Sequence, residues 1–262
     1  MNDISSEIRL SADVMLGCAL DIATELLECG AEIRRTEDTV ERICKAYGAE
    51  RVDVFVITSL LIVTVKMPDG YHKTQTRRIY GTQNNFRRIE ELNALSRNIC
   101  QNIPDPDELE RMVKHSRENH KNYYILRYIG AVILASAFTV FFGGTWLDAL
   151  AAAVIALFMV TLMIFKLRGT NDIAHTVICS LVGGLLCVAA MAIGFGQNSD
   201  KLMIGTIMLL VPGMDVGNSL RDLLCGDIAS GAMRLIRVVL TAIAIAVGYS
   251  IAIIIGGGLN VL

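Results

Sequence analysis

The sequence predicts an integral membrane α-helical protein, with a small cytoplasmic α+β domain at residues 1–122 followed by five transmembrane helices at 123–262. Three observations carry that reading. Residues 1–122 hold 37 of the 50 Lys, Arg, Asp and Glu side chains, and the rest of the chain holds 13. The second half contains apolar runs of membrane-spanning length, roughly 17–25 residues each. One of those runs, LLVPGMDVGNSLRDLLCGDIASGAMR from Leu209 to Arg234, carries a proline, glycines and charges where the rest is almost pure hydrocarbon.

In the first half, Ser11–Cys29 places apolar residues at the helical period and ends at Gly30, a C-cap type of position. Thr36 followed by EDTVERICKAYG predicts a second helix with an N-cap, acids in its first turn and Gly48 as its stop. RVDVFVITSLLIVTVKM is rich in β-branched residues, and Pro68-Asp69-Gly70 turns it into YHKTQTRRIY, giving two or three antiparallel strands. Helices near 84–101 and 105–120 lead towards the membrane. The N-terminal MNDISSEIRLSADVM has acids and no unbroken apolar core, unlike a signal peptide.

In the second half, Tyr124–Phe142, Trp146–Phe165, Ile173–Phe195 and Leu235–Ile255 read as uninterrupted spans, and Leu202–Leu224 as a span, fourth in order, broken at Pro212-Gly213. Lys114, Arg117, Lys121 and Arg127 precede the first span, Lys166 and Arg168 follow the second, and Arg221, Arg234 and Arg237 lie between the fourth and fifth. The alternate side has Lys201 beside Asp200. Positive-inside places the N-terminal domain in the cytoplasm and the C-terminus outside; the expected location is the cell (inner) membrane, crossed several times.

The function classes narrow by what the residues can do. Neither half is basic enough for nucleic acid. No Walker A, GxGxxG, GxSxG or HExxH pattern occurs, and the four histidines and seven cysteines show no metal-ligand spacing. No catalytic set, cofactor or metal is expected, and the cysteines read as reduced, mostly buried thiols. Arg77-Arg78 and Arg87-Arg88 read as a solvated basic face, or as a site for an anion or anionic headgroups.

The broken helix is the candidate substrate site. Pro212 removes a donor and Gly213 relaxes the ladder. A helix restarting at Asp215 as its N-cap leaves free N–H groups and a positive dipole end, suited to a carboxylate. Asn218 and Asp222 follow on one face at i+3 and i+7, and Arg221 is placed to clamp a carboxylate. Asp215, as an ionisable group at membrane depth, is the first proton-coupling candidate, with Asp172 and His175 at the start of the third span as further members of a relay. A helix cap is the other reading of Asp172, and interfacial ion pairs and caps the other reading of Arg221, Asp222, Asp227 and Arg234. In CGAEIRRTEDTVERI, Glu32, Arg35 and Glu37 fall at a break between helices, either as an ion-pair cluster that fixes the angle or as a gating contact with the membrane domain.

Two segments together resemble the threonine/serine exporter family: Gly30-Ala31-Glu32, Arg35, Glu37 and Thr39 early, and Val211-Pro212-Gly213, Asn218, Arg221-Asp222, Gly226-Asp227, Gly231 and Arg234 late. The resemblance covers essentially the whole chain. It implies a secondary exporter of small carboxylate-bearing metabolites, threonine/serine-type amino acids, by proton-coupled antiport. It also implies the longer subunit of a split pair, working with a small all-membrane partner of the same family or as a homo-oligomer. Split pairs of this kind add dicarboxylates of the succinate type as an alternative substrate class. A membrane-anchored regulatory or scaffold subunit is the alternative of another class.

Overall fold

The computed structural model describes residues 2–81, 83–118, 124–165 and 170–258. Its chain forms two compact units: Met1–Lys121 with Met214–Leu235, and Asn122–Gly213 with Ile236–Leu262.

The first unit begins with helix α1 (Asn2–Glu28) and helix α2 (Ile33–Ala46). A three-stranded antiparallel sheet follows, in the order β1 (Arg51–Ile57), β2 (Leu60–Lys66), β3 (His72–Arg78). Helices α3 (Phe86–Asn102) and α4 (Pro106–Glu118) complete the N-terminal part. The long β-branched run divides because Thr58 and Ser59 make a two-residue turn that pairs Ile57 with Leu60. Alternation on β2 then sends Leu61, Val63 and Val65 into the core, where they join Leu16, Leu20 and Leu26 of α1 and Ile43 of α2. Gly70, at φ 81°, and the Asp69 carboxylate, which accepts from the Tyr71 N–H at 3.0 Å, form the second turn.

The helix starts differ from expectation. The first helix begins well before Ser11. The second begins at Ile33, with Glu32 extended at its N-cap, so Thr36 lies inside it, buried, and donates back to the Glu32 carbonyl at 3.0 Å. A hydroxyl that bonds its own preceding turn no longer signals a helix start.

Arg88, expected on a solvated basic face, is 2% exposed, and its guanidinium donates twice to Glu25 of α1, at 2.6 and 2.9 Å. The partner lies 63 residues away, outside any local pattern.

The second unit holds α5 (Tyr124–Phe141), α6 (Trp146–Ile164), α7 (Asp172–Ala192) and α8 (Ser199–Ile207). Helix α9 (Gly213–Leu224) belongs to the first unit. Helix α10 (Ile228–Gly258) starts in the first unit and continues into the second. Among the described residues four helices, α5, α6, α7 and α10, are long and apolar enough to cross a membrane. The segment expected as a fourth span with one kink is two short helices separated by residues 208–212. Pro212 removes a donor at the end of that gap, and α9 itself begins at Gly213. Of the cations used to orient the chain, Lys121, Lys166 and Arg168 lie outside the described residues, as do His120 and the C-terminal residues 259–262.

Small residues set the packing of the second unit. A Cβ on Gly184 would collide with the Ala252 side chain, and one on Gly248 with Ser180, whose hydroxyl lies 3.3 Å from the Ala244 carbonyl. The buried Tyr249 hydroxyl donates to Thr206 at 3.0 Å, and Thr206 lies 3.3 Å from the Cys187 sulfur. The hydroxyls thereby find partners inside an otherwise apolar bundle.

Candidate functional site

The early and late motif segments lie more than 170 residues apart in the chain, and the late one from Met214 onward meets the early one in the first unit. Two local devices prepare the early segment. Gly30 closes α1 at φ 84°, and a Cβ there would run into the Asn84 side chain, so the position requires glycine twice over. Glu32 then takes the extended N-cap conformation without capping α2 with its own side chain, which leaves its carboxylate available.

The late segment is a tight helical elbow. Gly226, at φ 95°, ends α9, and the Asp227 N–H donates to the Asp222 carbonyl at 2.9 Å. Gly231 lies against α9, where a Cβ would come within 2.6 Å of the Leu223 side chain and 2.9 Å of its backbone nitrogen. Helix α9 presents opposite chemistries on opposite sides. Ser219 and Asp222 are buried, Asp215 and Asn218 half-buried, while Val216, Leu220 and Leu224 are exposed at every fourth position.

Three contacts fasten the elbow to the N-terminal residues. Arg221 donates to the Glu32 carboxylate at 2.6 Å, Asn218 to the Gly30 carbonyl at 3.3 Å, and the Ser230 hydroxyl reaches the Val56 carbonyl at 3.5 Å. Within the elbow Arg234 and Asp222 form a buried pair at 3.4 Å, their side chains 8% and 4% exposed. A cavity of about 360 Å³ opens here, lined by acids and arginines that include Glu32, Arg34, Arg35, Arg221, Asp222 and Asp227. Its volume falls in the usual range for small-molecule sites, roughly 300–1,000 Å³.

The expected site residues are therefore partly assembled. Asn218, Arg221 and Asp222 lie on the elbow, where Arg221 meets Glu32 and the charge of Asp227 acts on Glu37. Burial, and then the charge of Asp227, push the Glu37 carboxyl above its ordinary value. Arg35 is exposed and forms no ion pair with Glu32 or Glu37 among the described residues; the cation that Glu32 takes is Arg221. Asp215 lies in the first turn of α9 rather than at its N-cap, because the helix starts two residues earlier. Pro212 and Gly213 stand at the junction where the chain passes from the second unit into the first. Asp172 and His175 occupy the first turn of α7 in the second unit, where the His175 ring lies 3.8 Å from the Cys179 sulfur. The described residues contain no group of three or more His, Cys, Asp or Glu placed to hold a metal.

Sequence reasoning passed over Asp148. This aspartate, at the start of α6, is fully buried and accepts from the backbone of Thr145, Gln197 and Asn198 and from the Thr145 and Asn198 side chains, at 2.6–3.1 Å. It joins the α5–α6 turn to the α7–α8 turn. The available signal was the Thr145-x-x-Asp148 capping box opening an apolar run.

Four apolar helices, a small α+β unit and a solute-sized charged cavity define a multi-pass membrane protein. The profile of the threonine/serine exporter family, ThrE, matches residues 18–256, and the chain belongs to that family. It is 24% identical over 242 residues to a "Probable threonine/serine exporter" of Mycobacterium tuberculosis, covering 91% of this chain and 46% of that one. It is 21% identical over 251 residues to the "Threonine/serine exporter" of Corynebacterium glutamicum, covering 91% and 50%. The chain thus spans about half the length of these two relatives. A third, the "Probable succinate transporter subunit YjjP" of Klebsiella aerogenes, is 21% identical over 258 residues, covering 96% of both. No solved structure matches the chain.

Proposed function

We propose that the protein is a subunit of a secondary exporter that moves small carboxylate-bearing metabolites out of the cell, and that the charged cavity at the elbow is where the solute is received. The observation that carries this reading is the meeting of Glu32, Arg221 and Asp222 at one cavity, built from the two segments that resemble the family. Arginines there supply planar donors for a carboxylate, and acids supply partners for an ammonium group. The names of the relatives support threonine/serine-type amino acids first and a succinate-type dicarboxylate second.

In this reading the N-terminal residues 1–122 form the cytoplasmic domain and the C-terminus lies outside, as the Lys and Arg placement favours. Five crossings follow if α8 and residues 208–212 make the fourth. A small all-membrane chain of the same family, or a second copy, supplies the other half found in the longer relatives. Proton antiport is the proposed energy source.

Cys225 tests the site directly, since it is exposed and lines the cavity. Threonine, serine or succinate should slow alkylation of Cys225 in the membrane-embedded protein, read by mass spectrometry, without slowing it at Cys29 or Cys100. No protection by any of the three would remove the cavity as the receiving site.

A further inference from the structure

The Asp222 carboxylate is the least satisfied polar group of the elbow. The residue is 3% exposed, its Oδ2 has no hydrogen-bond partner among the described residues, and Arg234 lies 3.4 Å away without a hydrogen bond to that oxygen. The charged groups acting on it come from every neighbouring segment: Arg234 from α10, Arg221 from its own helix, Asp227 from the turn and Glu32 from the N-terminus of α2. Glu37 of α2 feels Asp227 as well, together with Asp38 and Arg34. Docking the elbow therefore brings Glu32, Glu37 and Asp38, with Arg34, Arg35 and Arg42, towards Asp222 and Asp227 and the elbow's own Arg221 and Arg234, so the buried Asp222 carboxylate gains like charges along with cations.

We propose that Asp222 is a proton-linked positioning residue: the elbow docked on the N-terminal residues holds a proton at this carboxylate, and undocking releases it to water. The inference rests on the exporter reading only for its purpose, which is to couple proton movement to the position of the elbow between α8 and α10. Docking itself is measured without transport.

Energetics give the sign. Burial is the largest influence on Asp222 and pushes its carboxyl above the ordinary value; Arg234 opposes this, while Asp227 and Glu32 add to it. A carboxyl with a higher pKa docked than free takes up a proton on docking. The cost of burying its charge is fully present above the docked pKa, and it disappears as pH falls through that pKa towards the ordinary value. Acid tightens the elbow and alkali loosens it. Glu37, also pushed up, acts in the same direction.

The test is hydrogen exchange of the full chain in nanodiscs, followed on peptides from 214–224 and corrected for the intrinsic pH dependence of the chemical step. Protection should rise several-fold on going from about pH 8 to about pH 5, with α4 peptides as a flat control. Asp222→Asn, permanently neutral, should show the acid level of protection throughout. Glu37→Gln should retain most of the slope. Protection that is independent of pH or falls in acid would overturn the proposal, and the wild-type titration decides this even if a variant fails to fold. An undiminished slope in Asp222→Asn would overturn it equally. Loss of Cys225 protection by solutes with the slope intact would instead count against the exporter site.

Discussion

Arg221 donates to Glu32 at 2.6 Å across 189 residues of sequence, joining the two segments that resemble the family. The Arg221 side chain is 61% exposed, so the pair contributes little to folding, about 0–1 kcal/mol as for other exposed pairs. Its effect belongs to function. Arg221→Ala and Glu32→Ala should each leave the melting temperature nearly unchanged and reduce efflux. The reversed pair, Glu32→Arg with Arg221→Glu, should recover part of it. Equal loss in single and reversed variants would show that the two residues act separately.

Arg88 and Arg35 should separate in a thermal melt. Removing one partner of a buried pair costs about 3–5 kcal/mol, and Arg88→Ala should approach that loss, since it leaves Glu25 only the longer 3.9 Å contact with Arg117. Arg35 is exposed and unpaired among the described residues, so Arg35→Ala should stay within about 0.5 kcal/mol of wild type. A strong destabilisation by Arg35→Ala would restore the ion-pair cluster first expected at Glu32, Arg35 and Glu37.

Asp148→Ala would leave the donors of Thr145, Gln197 and Asn198 without an acceptor, at about 1–3 kcal/mol for each one left buried and dry. The folded yield of the membrane domain should fall sharply, measured as monodisperse protein after detergent extraction. Asp148→Glu, one methylene longer, should be intermediate. Wild-type yield from the alanine variant would mean that water replaces the carboxylate.

Helix glycines should divide by available space. Gly248→Ala drives a methyl into Ser180 and the backbone of Leu181, so it should lower thermal stability by at least about 1 kcal/mol. Gly17→Ala, in the middle of α1 with nothing within 4 Å, should be neutral or stabilising by roughly 0.5–1 kcal/mol. Similar melts for the two would contradict close packing at Ser180.

Local chemistry was readable from the residues, and long-range pairing was not. The four apolar spans, the PDG turn, and the glycines at 30 and 48 each follow from periodicity or from a positive φ that only glycine accepts easily. Pro212-Gly213 pointed to a break, and the break is there, but wider than the pair itself. The ion-pair reading of Asp222 and Arg234 was open from the sequence, but no pattern within the late segment could show that Asn218 reaches Gly30 or that Arg221 reaches Glu32. Those contacts depend on where the elbow folds. Apolar residues along one side of α9 read as a membrane helix, whereas its polar side is what the N-terminal residues bind.

Efflux from vesicles is the decisive measurement. Labelled threonine, serine and succinate would be loaded into vesicles holding the chain together with a small all-membrane chain of the proposed kind, and their release followed under an imposed pH gradient. At least one of them should be released faster than from empty vesicles, with loss of that release in Glu32→Ala and its partial return with Glu32→Arg and Arg221→Glu together. Release no faster than from empty vesicles for all three solutes, with both chains present and folded, would contradict the exporter reading.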